Sequence, residues 1–217
     1  MERREGDISD WWPTPVFMHR WPDHARINAD LESLILARME ATPGLRRSNI
    51  GGWHSAEDLL AWPSPAIGVL RGWVERSLTE LIRGTVGPRA VPQSFPMAAW
   101  ANVNRAGHSN DIHDHGNHVW AAVYYVATGA ADPEVPSSGP LELRDPRAGA
   151  SRIHLGYSSM GLSRLIKPLA GMMVIFPAWL WHAVRPHADP GLRISIAFNI
   201  AEQRPVAGEQ ISARNGL

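Results

Sequence analysis

The chain has 217 residues, 44% apolar and 19% charged, which is typical of a globular protein and of a length that fits one domain. Its 21 basic and 21 acidic residues balance to a formal charge of zero without forming a basic stripe, so we expect no nucleic-acid partner. The absence of cysteine excludes disulfides, thiolate metal sites and a cysteine nucleophile, and leaves His, Asp and Glu as metal ligands.

The N-terminal segment MERREGDISDWWPTP is charged and then aromatic. It lacks the apolar region of a secretory signal, and no apolar run in the chain reaches the length of a membrane span. We therefore expect a cytoplasmic protein without a membrane partner. The aromatic pair Trp11 and Trp12 is interpreted as an exposed surface that a homodimer would use.

Two amphipathic helices are predicted in the first 90 residues, over 23–41 and 64–86. Asp23 is the expected N-cap of the first, and Ser64 followed by Pro65 is expected to begin the second. Residues 46–65 between them are predicted to be mainly loop. The apolar stripes comprise Ile27, Leu31, Leu34, Ile35 and Met39, then Ile67, Leu70, Val74, Leu78, Leu81 and Ile82.

After about residue 90 the chain changes to short β-branched and aromatic runs separated by Gly, Pro, Asn and Asp. This spacing predicts an antiparallel sandwich or jelly roll, and a long loop near 129–140. We expect a mainly β fold in a single domain, with a helical part (1–90), a jelly-roll core (91–200) and a tail (201–217). The runs are MAAWANVNR, VWAAVYYVA, PLELRD, MMVIFP and LRISIAFNI.

Three histidines lie within six positions in HDHGNHVWAAVYYV, residues 113–126. In an extended segment His113 and His115 share a face, because the side-chain period of a strand is two. Two imidazoles on one face can bind one metal ion. His182 is the best third ligand, because it follows an apolar strand and a proline-containing turn. The alternative is an ordinary pair of hydrogen-bonded histidines that coincide by chance.

Arg193 and Ser195 follow His182 by eleven and thirteen residues and point the same way from a predicted strand. A guanidinium beside a hydroxyl is a receptor for a carboxylate. The cation lies in an otherwise apolar run, where an unpaired charge would be costly, so it needs an anionic partner. A bound cosubstrate is one such partner, and an ordinary ion pair is the other.

These residues resemble the 2-oxoglutarate/Fe(II)-dependent dioxygenases, and most closely a bacterial subgroup of 2OG-Fe(II) oxygenases. The resemblance covers most of residues 48–200 and implies a double-stranded β-helix, a cupin-like jelly roll, with Fe(II), 2-oxoglutarate as cosubstrate and O2. The segments that carry it are SNIGGWHSAEDL (48–59), AWANVNRAG (99–107), HDHGNHVWAAVYYV (113–126), LELRDPR (141–147), IFPAWLWHAVRP (175–186) and RISIAFN (193–199).

The resemblance also implies roles for single residues. His113 and His182 match the first and last metal ligands. The positions that match the binding site of 2-oxoglutarate are Arg193, Ser195, Tyr125 and Asn104. The positions expected to line the substrate pocket are Trp100, Asn102 and Trp120.

The chain departs from the superfamily at the third ligand, where His115 stands in place of Asp or Glu, and Gly116 replaces the proline of the subgroup. Three histidines leave the metal more cationic, and dianionic 2-oxoglutarate would bring the complex close to neutral. Asp111 and Asp114 are the alternative carboxylate ligands. Asp114 ranks lower than His115, because it faces away from His113 in an extended segment.

The functional hypothesis is hydroxylation of a C–H bond in a small molecule, such as an amino acid, a peptide or a natural-product intermediate. We expect its pocket to be rimmed by the N-terminal helices and the loop near 129–140. One alternative is a three-histidine, cupin-like dioxygenase that does not use 2-oxoglutarate. The other is a binding module that has lost catalysis.

Overall fold

The computed structural model describes residues 12–129, 139–149 and 163–201. Within these ranges no helix has the length and hydropathy needed to cross a membrane. The helices are α1 (His24–Ala41) and α2 (Pro65–Thr85), with short 3-10 turns at Leu59–Ala61 and Pro88–Ala90. The strands are β1 (Phe17–Arg20), β2 (Asn49–Ile50), β3 (Trp53–His54), β4 (Met97–Asn104), β5 (Ser109–His113), β6 (Trp120–Thr128), β7 (Leu141–Arg144), β8 (Ser163–Ile166), β9 (Met172–Pro177), β10 (His182–Val184) and β11 (Arg193–Ile200).

Strands β4 to β11 form the expected double-stranded β-helix. The major sheet has the order β1-β9-β6-β11-β4-β3, and the minor sheet has the order β2-β5-β10-β7-β8. From β4 to β11 the chain changes sheet at every step except from β7 to β8, which pair with each other. This alternation wraps two antiparallel sheets around a shared interior, which is the jelly-roll arrangement. The predicted fold is confirmed.

The two faces of the major sheet have different neighbours. Along β11, Ile194 and Ile196 face the two helices, whereas Arg193 and Ser195 face the minor sheet, because successive side chains alternate. The helices bury their predicted stripes on the first of these faces, including Ile27, Leu31, Leu70, Val74 and Leu78. The expectation that the helices rim the pocket is therefore wrong. They cover the outside of the major sheet and not the interior of the jelly roll.

The two helix starts differ. Ser64 has extended backbone, and its side-chain oxygen accepts a hydrogen bond from the Ala66 backbone N–H at 3.3 Å, so the predicted cap is present. Asp23 occupies the N-cap position of α1 but makes no capping hydrogen bond. Its backbone is not extended, with φ −90° and ψ 22°, so the side chain is not directed over the first turn.

The segment 46–65 is more structured than predicted. It contains β2, β3 and the first 3-10 turn, and its two short strands enter different sheets. Gly51 and Gly52 connect them with φ of 69° and 61°, a left-handed conformation that glycine adopts without strain. The loop residues 130–138 and the tail beyond Ala201 lie outside the described residues, and the single-domain division stays a prediction.

Candidate metal centre

The minor sheet brings two of the predicted ligands together. His113 is the last residue of β5 and His182 is the first residue of β10, and the two are directly opposite in the antiparallel register. Their ring centroids are 4.3 Å apart. His115 lies two residues beyond β5, where its backbone N–H donates to the Ala178 carbonyl at 2.9 Å. This bond holds its ring 5.0 Å from His182 and 5.1 Å from His113.

The nitrogen geometry suits one metal ion. One ligand atom from each ring lies within 4.8 Å of the other two, and the Nε2 atoms of His115 and His182 are 3.2 Å apart. Two nitrogens that bind one metal at about 2.1 Å in perpendicular directions stand about 3 Å apart. Without a metal, His115 can donate a hydrogen bond from Nε2 to His182 Nε2 across this distance. With both Nε2 atoms unprotonated, the same spacing fits a metal ion bound by the two lone pairs.

Hydrogen bonds to the backbone set the tautomer of two of the rings. His113 donates from Nδ1 to the Asp111 carbonyl at 2.7 Å, and His182 donates from Nδ1 to the Leu180 carbonyl at 2.9 Å. A carbonyl oxygen only accepts, so each Nδ1 carries the proton and each Nε2 keeps its lone pair. Such contacts orient metal-binding imidazoles in many proteins.

Burial keeps two rings of the cluster, His115 and His182, neutral. Desolvation, followed by the charge of His113, lowers the pKa of His182 to about 3. The same two causes lower the pKa of His115 to about 4. Near neutral pH both rings are therefore unprotonated and available as ligands, and a proton competes with a metal ion only in acid.

Neither alternative carboxylate reaches the cluster. The Asp114 side chain accepts from the Gly116 backbone N–H at 3.1 Å and closes the turn after β5. Asp111 is exposed, and its backbone carbonyl, not its carboxylate, contacts His113. The cluster therefore consists of His113, His115 and His182.

An inner cavity of about 60 Å³ connects these histidines to the predicted cosubstrate residues. Arg193, only 1% exposed, lies at its far end and donates to the Ser195 hydroxyl at 3.1 Å. Its guanidinium carbon is 5.2 Å from the centre of the Tyr125 ring. Among the described residues no carboxylate lies within ion-pair distance of Arg193, and burial lowers its pKa.

Several polar atoms around this cavity have no hydrogen-bond partner in the described part of the chain. They are Arg193 Nε, the Tyr125 hydroxyl and Asn102 Oδ1. Burial raises the pKa of Tyr125, so its hydroxyl stays protonated and can donate. Buried polar groups are almost always satisfied, so a site with a cation and unused donors is suited to an anionic ligand.

Two predicted residues lie elsewhere. Trp120 packs against the helix-side core, because alternation along β6 places it on the opposite face from Tyr125. Its assignment to this pocket is therefore wrong. Asn104 pairs in register with Arg193 and is buried, but it does not line the cavity, and its Nδ2 has no partner among the described residues.

The sequence analysis did not single out His54, which packs behind the site. His54 is 4% exposed and lies on β3 opposite Asn102. Its ring stacks on Trp100 with centroids 5.5 Å apart, and Trp100 in turn contacts His115 at 5.8 Å. Its place in the segment 48–59 was the only sequence signal for this position.

Comparison with known families supports the resemblance seen in the sequence. Residues 98–199, which span almost all of β4 to β11, match the family described as "Putative 2OG-Fe(II) oxygenase". Over these residues the chain is similar to the 2OG-Fe(II) oxygenases. This confirms the expected class of enzyme, a dioxygenase, and its expected cofactors, Fe(II), 2-oxoglutarate and O2. No curated protein matches the sequence.

Solved structures share the fold of this chain. A prolyl-4-hydroxylase from Pseudomonas putida superposes with a TM-score of 0.61 at 14% identity, over 87% of this chain and 92% of the other. HygX from Streptomyces hygroscopicus, with nickel and 2-oxoglutarate bound, gives 0.57 at 14% identity, over 88% and 84%. AviO1 from Streptomyces viridochromogenes gives 0.56 at 15% identity, over 88% and 91%. At these identities the likeness establishes the fold alone.

Proposed function

We propose that His113, His115 and His182 hold Fe(II), that Arg193 and Ser195 hold the distal carboxylate of 2-oxoglutarate, and that the enzyme hydroxylates a C–H bond of a small molecule. One observation carries the proposal. A buried arginine that has no carboxylate partner among the described residues shares a small cavity with three imidazoles. 2-Oxoglutarate has an anionic group at each end, so one end suits a metal ion and the other suits Arg193.

Bound Fe(II), with 2-oxoglutarate as the reductant, supplies the chemistry that activates O2 for insertion into a C–H bond. The chain supplies orientation and shielding. The Asp111 and Leu180 carbonyls fix two of the ligand rings. Phe176 contacts His182 at 4.8 Å, and with the apolar interior of the jelly roll it keeps water from the metal side.

The test is an anaerobic titration of the apo-protein with Fe(II) and then with 2-oxoglutarate, followed in the visible spectrum. A weak charge-transfer band that requires both components supports the proposal. Iron binding without a band on addition of 2-oxoglutarate would favour the three-histidine dioxygenase that does not use this cosubstrate. Absence of iron binding would contradict the ligand assignment.

Two adjacent tyrosines offer a matched pair for the cosubstrate role. Tyr124 faces the helices and donates to Asn28 Oδ1 at 2.6 Å, whereas Tyr125 faces the inner cavity. We expect Tyr124→Phe to lower the free energy of unfolding by about 1 to 3 kcal/mol, because a buried acceptor loses its donor. Tyr125→Phe should change stability little and weaken 2-oxoglutarate about tenfold, the effect of one hydrogen bond to a charged group.

Urea unfolding and titration of the band with 2-oxoglutarate measure both effects on the same preparations. The expected pattern is a stability change confined to Tyr124→Phe and an affinity change confined to Tyr125→Phe. Equal cosubstrate affinity in the two variants would remove Tyr125 from the binding site.

The third ligand can be tested by exchange. We expect His115→Ala to weaken Fe(II) binding and His115→Asp to restore much of it, because two histidines and one carboxylate also form a site for non-haem iron. Asp114→Ala serves as the control and should lower iron affinity far less than His115→Ala, since its carboxylate closes the turn beside His115 but does not reach the cluster. Iron affinity measured by equilibrium dialysis shows whether His115 is the third ligand. A loss in Asp114→Ala comparable to that in His115→Ala would contradict the assignment.

The proposed substrate is a small molecule, which includes amino-acid-like compounds and short peptides. Among proteins of this fold, HygX has been solved with hygromycin B bound. A prolyl hydroxylase from Trichoplax adhaerens has been solved with a peptide fragment. The fold thus accommodates substrates of both kinds, and the choice between them depends on residues of this chain outside the metal cluster.

A further inference from the structure

A second, outer cavity of about 580 Å³ opens where the edge strands of the two sheets approach each other. It lies between the segment that leads into β1 and the β7–β8 pair, and Leu143 and Leu180 form part of its inner wall. Its volume is in the range of small-molecule sites, about 300 to 1,000 Å³. The inner cavity of about 60 Å³ is far smaller, so the body of a substrate needs space outside it.

The sheet register aligns a residue of the outer cavity, Arg164, with the metal centre across neighbouring strands. Arg164 on β8 is opposite Leu143 on β7, Leu143 is opposite His182 on β10, and His182 is opposite His113 on β5. Directly opposed residues point to the same face of a sheet, so these four side chains form one row on the inward face. Neighbouring strands lie about 4.8 Å apart, which places Arg164 about 10 Å from His182 at the backbone.

Arg164 is the cation of this cavity with an unused guanidinium. Arg147 is paired with Asp145 at 2.6 Å, and Arg144 lies 3.9 Å from Glu142. Arg164 is exposed and lines the cavity, and its side chain forms no hydrogen bond or ion pair with any residue in the part of the chain that the structure describes.

The remainder of the wall is largely apolar. Val16 and Ile166 lie near Leu143 and Leu180, which also belong to the apolar interior of the jelly roll. A cation at the outer end of an apolar wall favours an amphipathic ligand, with an acidic group at one end and a hydrophobic body directed inward.

We propose that Arg164 binds the acidic group of an elongated, amphipathic substrate, whose hydrophobic body extends toward the histidine cluster and is oxidised at a carbon remote from that group. The acidic group is a carboxylate or a phosphate, since the guanidinium fork accepts either. This inference rests on the proposed function, because it takes the histidine cluster as the point of oxidation.

A different role for Arg164 is protection of an edge strand. Inward-pointing charges on edge strands prevent pairing with other chains, and β8 ends the minor sheet. That role predicts aggregation when the charge is removed and no effect on the choice of ligand. The two roles therefore differ in a binding measurement.

The experiment uses full-length protein loaded with Ni(II) and saturating 2-oxoglutarate, titrated in a calorimeter with decanoate, decyl phosphate and decanamide. We expect wild-type protein to bind at least one of the two anions about tenfold tighter than the amide. Arg164→Gln should abolish that preference, and Arg164→Lys should retain part of it. Arg147→Gln, which removes an arginine already paired in the same cavity, should keep the preference.

Three results would overturn the proposal. In the first, neither anion binds more tightly than the amide. In the second, the preference persists in Arg164→Gln, as it would if the anions bound the metal instead. In the third, Arg164→Gln aggregates in light scattering while its soluble fraction keeps the preference, which identifies edge protection.

The Fe(II) and 2-oxoglutarate band, recorded on wild type and Arg164→Gln, separates this inference from the proposed function. If the band is absent in wild type, the proposed function is refuted. If the band is present but wild type shows no preference for the anions, only the inference about Arg164 is refuted.

Discussion

We expect replacement of His182 by alanine to abolish stable Fe(II) binding and turnover. His182 is 5% exposed, its Nε2 faces the Nε2 of His115, and its Nδ1 is fixed by the Leu180 carbonyl. Metal sites with four ligands bind with about 10 to 16 kcal/mol, so loss of one ligand weakens the metal by about a hundredfold or more. Equilibrium dialysis of iron, with 2-oxoglutarate-dependent succinate release as a second readout, measures the effect.

His118→Ala is the matched control, because His118 lies in the same loop but outside the cluster. It should keep both iron and turnover. Thermal unfolding of both apo-proteins shows whether His182→Ala still folds, and His182→Gln, which better preserves the side-chain volume, provides a second variant. Normal iron affinity in folded His182→Ala, or an equal loss in His118→Ala, would contradict the ligand assignment.

We expect replacement of Arg193 by alanine to spare iron binding and to weaken 2-oxoglutarate binding by about 2 to 5 kcal/mol, the usual cost of truncating one side of a buried charged pair. This corresponds to about 30- to 5,000-fold in affinity. The charge-transfer band, titrated with 2-oxoglutarate at saturating Fe(II), reports both steps separately.

The stability of the protein without cosubstrate gives a control for the Arg193 variants. Arg193 is 1% exposed and has no carboxylate partner among the described residues, so its charge is costly while the cosubstrate is absent. Arg193→Met should therefore leave the melting temperature of the apo-protein unchanged or raise it, and should lose the stabilisation that 2-oxoglutarate gives to wild type. Arg193→Lys keeps the charge but not the two-pronged geometry, and its affinity should be intermediate. Unchanged cosubstrate affinity in Arg193→Ala would show that the anion binds elsewhere.

Three neutral histidines give this site a higher positive charge than two histidines and a carboxylate would. His115 and His182 both have a lowered pKa, so the cluster adds no charge of its own near neutral pH. We infer that the anionic cosubstrate contributes more to the charge balance here than at a carboxylate-containing site. Iron affinity should therefore rise when 2-oxoglutarate is present, and dialysis with and without the cosubstrate measures that coupling.

Much of the fold and half of the site follow from local patterns. The helix stripes, such as Leu70, Val74 and Leu78, were predicted because a period near 3.6 is set by the backbone alone. The long strands β4, β6, β9 and β11 were predicted because they are rich in β-branched and aromatic residues. The strands β1, β2, β3, β5, β8 and β10 were not among the predicted runs, because they are short or polar and exist through their pairing with neighbours.

The sequence by itself determined which residue types could form the centre: His113, His115, His182 and Arg193, at spacings that strands place on common faces. Tertiary structure decided which of them meet. The turn after β5, closed by the hydrogen bond from the Gly116 N–H to Asp114, directs His115 inward. The alternation of side chains along β6 places Trp120 on the helix side of the major sheet. The register of β8 on β7 places Arg164 in one row with His182. Register is set by contacts between segments distant in the chain, so local sequence patterns do not determine it.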